Sequence, residues 1–153
     1  MLTYEWPFEP DDVIVPQWGE FGKRPRGPVI VAHDGIDLNA PQGATVRAAA
    51  AGVVTLIRVE GDGDDGEGNA VWIKHTERFM TRYLHLQAAL DVRAGEFVEL
   101  GQPLGKVGQS GNADGPHLCF MTLVEGVAFN PRTFMRDRAR EHQEATRGDR
   151  TAQ

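Results

Sequence analysis

Glycine breaks this chain too often for long helices to run through its middle: the sequence has 18 glycines, and they cluster between short apolar segments. Turn-punctuated runs of this kind, several alternating apolar with polar residues at period two, read as β-strands. The candidate strands are VIVAHDGIDLN, TVRAAAAGVVTLIRVE, NAVWIKHT, MTRYLHLQ, EFVELGQPLGKVGQ and HLCFMTLVEG, and they predict a mostly β fold. The run AAAAG at 48–52 favours helix by its alanines, but the β-branched VVTLIRV after it pulls the segment toward strand. One strand entered through a tight small-residue stretch is therefore expected. The tail at 136–153, RDRAREHQEATRGDRTAQ, is densely charged without an apolar stripe. It reads as a short polar helix fraying into disorder, with no function of its own.

A length of 153 residues suits one domain that buries a core without disulfides, and the single cysteine, Cys119, has no partner in the chain. Hydrophobic residues at 41% and charged residues at 25% match a soluble globular protein. The net charge of −6 argues against a nucleic-acid partner, which requires a basic face. The start, MLTYEWPFEPDDVIVPQW, lacks the basic and apolar regions of a signal peptide, and no apolar run approaches bilayer length. Neither an export signal nor membrane insertion is expected. The acidic stretch EGDGDDGEG at 60–68 lacks the ligand spacing and distal glutamate of a calcium loop and reads as a solvated hairpin loop.

Three segments carry side chains with chemistry. In HDGID, His33 and Asp37 stand four apart, and on an extended strand an even separation puts them on one face. Tyr83 and His85 in RYLHL share a face by the same rule, as do His117 and Cys119 in PHLCF. Histidine, carboxylate and thiolate are all ordinary zinc donors, and a hydrolytic zinc takes three protein ligands and keeps one position open. Taken alone, Cys119 is equally a small buried hydrophobe.

The segments HDGIDLNAPQGATVRAAAAGVV, GNAVWIKH, YLHL, VRAGEFVELGQPLGKVGQSGNADGPHLCF and NPRTF, in that order, resemble the lysostaphin/LytM-type zinc metallopeptidases. The resemblance covers residues 16–135, leaving 1–15 as a lead-in and 136–153 as the charged tail. It implies an all-β, antiparallel barrel-sandwich of the duplicated hybrid motif type with an open groove. It further implies zinc as cofactor, held by His33, Asp37 and the residue at 119, with His85 and His117 as the proton-handling pair. Tyr83 would contact the oxyanion or substrate through its hydroxyl. Asn69 matches a position near the groove but also reads as a turn residue. Glycine-rich loops around 61–69 and 108–115 would wall the groove.

The chain departs from the family pattern at one place, Cys119 where the family has histidine. A thiolate binds zinc well, but beside Asp37 it brings a second anion to the ion, and a less electrophilic zinc lowers the pKa of its water less. The resemblance therefore implies a zinc endopeptidase acting on peptides of bacterial peptidoglycan, with a phage virion or injection device as a setting that carries it to the wall. The alternative is an inactive relative serving as a structural or wall-binding module. A biotinyl or lipoyl carrier fails because Lys106 lies inside an apparent strand instead of at a hairpin tip. His75 is expected to pack or lie at the surface, His142 to be solvated, and Trp6, Trp18 and Trp72 to serve core or interface.

Overall fold

The computed structural model describes residues 1–8, 15–16, 20–26, 28–59 and 66–151. All pairings between its strands are antiparallel. The main sheet contains β1 (Val15–Pro16), β4 (Ile36–Asn39), β6 (Gly52–Arg58), β7 (Asn69–Lys74), β8 (Phe79–Leu86), β9 (Phe97–Val98), β11 (Leu118–Val124) and β12 (Val127–Phe129). Their order is β1-β4-β11-β8-β7-β6-β9, with β12 paired to β11. Two small sheets flank it, one of β2 (Gly22–Arg26) with β3 (Val29–His33), the other of β5 (Thr45–Arg47) with β10 (Pro103–Lys106).

Period-two alternation gives β11 two faces. Leu118 and Phe120 point into the main core with Ile36, Leu38, Tyr83 and Phe134, while Cys119, Met121 and Leu123 form a second cluster with Leu84 and Ala70. A strand buried on both sides cannot slip by one residue without exchanging these sets, so the register of β11 is firmly specified. That second face is the floor of the groove.

Three of the expected strands are each split, EFVELGQPLGKVGQ among them, into β9 and β10 of different sheets. VIVAHDGIDLN is β3 and β4, in different sheets, joined through Asp34 and Gly35. In TVRAAAAGVVTLIRVE the alanines separate β5 from β6: Ala48, Ala49 and Ala50 are almost fully buried. Their backbone is held from outside the segment, Ala48 N–H by Gln102 O at 2.9 Å and Ala49 N–H by the Tyr83 hydroxyl at 2.8 Å.

The tail forms more helix than its composition predicts. Helix α1 spans Pro131–Thr151, so it begins inside the segment read as the domain and runs across the boundary at 135. Its start is encoded locally: Asn130 Oδ1 accepts the Arg132 N–H at 3.0 Å, and proline occupies the first helical position, where no N–H is needed. Phe134 and Met135 are buried, Phe134 edge-on to Tyr4 and Phe79, and Arg138 lies 4.2 Å from the centre of the Phe79 ring. Among the described residues no helix is long and apolar enough to cross a membrane.

Candidate functional site

Antiparallel pairing of β4 with β11 makes Asp37 and Cys119 direct cross-strand partners, and both side chains are buried on the groove face. His33 reaches them from the end of β3. The H-x-x-x-D spacing therefore works through a sharp bend between two sheets and not along one extended strand, which corrects the sequence reading of that pair. Gly35 makes the bend possible: a Cβ there would stand 2.6 Å from Phe120 O, 2.8 Å from Met121 Cγ and 3.1 Å from Cys119 Sγ.

The result is a compact donor set. His33 Nε2 lies 3.2 Å from Asp37 Oδ1 and 3.5 Å from Cys119 Sγ, and all three ligand atoms fall within 4.8 Å of one another. Two donors about 2.0–2.1 Å from one tetrahedral ion stand roughly 3.3–3.4 Å apart, and nitrogen and sulfur on such an ion, with sulfur at about 2.3 Å, roughly 3.5–3.6 Å apart. The residues present therefore fit zinc. No ion is part of the structure. Burial pushes the Asp37 carboxyl up, but the imidazoles of His117 and His33 facing it pull harder and hold it well below the usual carboxylate range.

His85 and His117 border this cluster, their ring centres 4.8 Å apart, with His117 Nε2 3.4 Å from Asp37 Oδ1. Three histidines are oriented alike: Nδ1–H of His85 donates to Ser110 O at 2.8 Å, that of His117 to Gly115 O at 2.9 Å, and that of His33 to Glu20 O at 3.3 Å. A carbonyl only accepts, so each Nδ1 carries a proton, and Nε2 is the ring atom left for a metal or for proton exchange.

Tyr83 is not brought into the groove. Its ring lies in the main core, and its hydroxyl accepts the Ala49 N–H at 2.8 Å and meets Thr81 Oγ1 at 2.8 Å. The shared face expected for Tyr83 and His85 fails because His85 has φ +66°, which breaks the alternation between Leu84 and Leu86. The register between β7 and β8 shifts at the same place, between the pairs Asn69–Leu86 and Val71–Tyr83. This left-handed residue turns the imidazole toward the groove, where a regular strand would have sent it into the core.

The sequence reading missed the support behind His85. Asn69, read as a turn residue or groove contact, begins β7, where its Nδ2 donates to Leu86 O at 3.0 Å and its backbone N–H to Ser110 Oγ at 2.9 Å. Ser110 Oγ–H in turn donates to Leu86 O at 2.6 Å. Gly111, at φ +70°, lets the two loops touch: a Cβ there would lie 2.4 Å from Gly68 N. A GN and an SG separated by some 40 residues carry no local signal of this contact.

Beyond the cluster the groove has a volume of about 400 Å³ and is bounded by Trp72, Arg82, Arg58 and Glu67. Trp72 is thus a groove residue, half-buried, and not part of the core. Trp6 packs against Phe120, and Trp18 lies outside the described residues. Gly66, Glu67 and Asn112 contribute to the wall as the loop reading expected, whereas 60–65 lie outside the described residues. His75 is structural: Nδ1–H donates to Ala51 O at 2.8 Å and Nε2 accepts from Thr81 Oγ1 at 2.7 Å.

Residues 31–131 match the sequence pattern of Peptidase family M23. The peptidoglycan DD-endopeptidase ShyC of Vibrio cholerae is 43% identical over 104 residues, which are 68% of this chain and 23% of that protein. A zinc-containing peptidase of Vibrio cholerae superposes with a TM-score of 0.70 at 30% identity, over 84% of this chain and 39% of that one. The catalytic domain of lysostaphin from Staphylococcus simulans does so with a TM-score of 0.66 at 25% identity, over 82% and 93% respectively. The chain spans less than a quarter of the length of the first curated relatives it matches.

Proposed function

Because the chain belongs to Peptidase family M23, we propose that it is a zinc-dependent endopeptidase hydrolysing peptide bonds of bacterial peptidoglycan. The observation that carries this reading is the meeting of His33, Asp37 and Cys119 on the floor of an open groove, with two further histidines beside them. His33, Asp37 and Cys119 would hold the ion, which when bound supplies Lewis acidity and a water of lowered pKa. His117, nearest the cluster, and His85 each keep Nε2 ready to take the proton of the attacking water and return it to the leaving amine. The groove excludes part of the solvent and holds an extended peptide across the cluster.

The sequence resemblance offered Tyr83 as an oxyanion or substrate contact. With its hydroxyl committed in the core, that role falls instead to His85 or His117, whichever does not face the water. A second reading, a wall-binding or structural module, is favoured by one observation: two of the three donors, Asp37 and Cys119, are anionic when a metal is bound. Zinc analysis together with muropeptide release by wild type, Cys119→His and His117→Ala separates the two. Release by wild type that His117→Ala abolishes supports the enzyme; a zinc-loaded wild type that binds muropeptides and releases nothing, while Cys119→His cleaves, supports the module. The virion or injection device is a separate proposal, tested by whether the protein copurifies with particles.

A further inference from the structure

One end of the groove carries a cation that the hydrolytic machinery does not use. Arg82 on β8 has Met121 and Trp72 as its Cα partners on the neighbouring strands, and its side chain leaves the same face as Leu84, the partner of Cys119. The guanidinium lies 3.5 Å from the centre of the Trp72 ring. That ring is itself fixed, since its indole N–H donates to Glu67 Oε1 at 2.9 Å. Arg58 Nε sits 2.9 Å from the other Glu67 oxygen. Glu67 is thus occupied by Trp72 and Arg58.

Arg82 makes no ion pair among the described residues, and its buried Nε has no acceptor. Glu67 and, from the exposed groove rim, Asp34 attract it through space, without an ion-pair contact. A guanidinium held flat by an aromatic ring has lost little further freedom to lose, and its planar fork matches a carboxylate. A half-desolvated guanidinium with no ion-pair partner among the described residues can still take an anion in a direct contact.

We infer that Arg82, stacked on Trp72, is a specificity residue that takes a carboxylate of the bound peptide. Arg82 and Leu84 are two positions apart on one strand, roughly 7 Å, so the carboxylate belongs about two residues from the bond under attack. It is either an acidic side chain or the free end of a peptide stem. This inference rests on the reading of the groove as a peptide site.

The test measures binding and turnover separately. Three forms of one peptidoglycan stem peptide are titrated calorimetrically into the zinc-loaded protein at low salt: all carboxylates free, only the side-chain carboxylate amidated, and only the C-terminus amidated. Wild type is expected to bind the free form roughly 10–100-fold more tightly than one of the amides, as a charge-assisted bidentate contact requires, and the amide that loses affinity identifies the source. Arg82→Gln should bring that ratio to about one, and Arg82→Lys should keep part of it, a point charge without the fork. Equal binding of all three forms by wild type, or a preference that persists in Arg82→Gln, overturns the inference. The preference in a protein that cleaves nothing would defeat the hydrolase reading alone; cleavage of cross-linked peptides without the preference would defeat this inference alone.

Discussion

Cys119 Sγ lies 3.5 Å from His33 Nε2, across 86 positions of sequence, and the two reach each other from different sheets. The contact sets a thiol and an imidazole at the separation that two donors to the proposed ion would need. It also ties the separate hairpin of β2 and β3 to β11 of the main sheet.

Cys119→Ala should abolish stoichiometric zinc binding, and Cys119→His should preserve it. The loss should exceed the roughly 10–100-fold typical of removing a group that only supports a ligand. Cobalt substitution gives a direct view: a thiolate-to-metal charge-transfer band in wild type that is missing from Cys119→His. A wild-type cobalt protein without that band would remove the thiol from the ligand set.

Asn69→Ala should lower turnover while leaving zinc content unchanged, because Asn69 and Ser110 together fix the backbone around Leu86 and the carbonyl that orients His85. Loss of a buried hydrogen bond should also cost about 1–3 kcal/mol of stability. Metal analysis beside steady-state kinetics checks this, and a parallel fall in zinc would contradict it.

Gly35→Ala tests the bend. The new methyl would meet Phe120 O, Met121 Cγ and Cys119 Sγ at 2.6, 2.8 and 3.1 Å, two of them on the strand that carries the thiol and one the thiol itself. Overpacking of this kind costs about 1–3 kcal/mol. Chemical denaturation and zinc titration should both register it, and normal zinc affinity would show that the cluster tolerates movement of β11.

Stability should fall as pH drops below about 6.5. Burial lowers the His75 pKa from 6.5 to about 4, against the opposing hydrogen bond to Ala51 O. Between those values the unfolded chain holds a proton that the folded one lacks, so stability is full above the unfolded pKa and declines until the folded pKa is reached. The total is on the order of 3 kcal/mol. Protonation would also force Nε2 to donate to Thr81, reversing a chain in which Tyr83 O–H donates to Thr81 and Thr81 to His75. His75→Gln should flatten the urea-denaturation stability profile across this pH window; an unchanged slope would place the effect elsewhere.

The ordered segments from HDGIDLN to NPRTF were enough to name the family and the all-β class, and the resemblance they carry proposed His33, Asp37 and Cys119 as donors, three side chains that the structure brings together. Local pattern also placed His117 and Cys119 on one face, with Leu118 and Phe120 turned into the core between and beyond them. It failed where backbone conformation departs from the regular strand. The positive φ of His85 separates it from Tyr83, and although histidine enters that region more often than most residues, one histidine inside an apolar strand pattern is too weak a signal to announce it.

Contacts between distant segments were equally invisible. The split between β3 and β4, the Asn69–Ser110–Leu86 bonds behind His85, and the stack of Arg82 on Trp72 each depend on which strands become neighbours. The chain's own pattern thus specified which groups are available and, along the regular strand β11, which faces they occupy. Folding alone settled that His33 arrives from another sheet, that Tyr83 is held in the core, and that Arg82 lies in the groove stacked on Trp72 with no ion pair among the described residues, because those outcomes depend on long-range packing that has no trace in nearest-neighbour sequence.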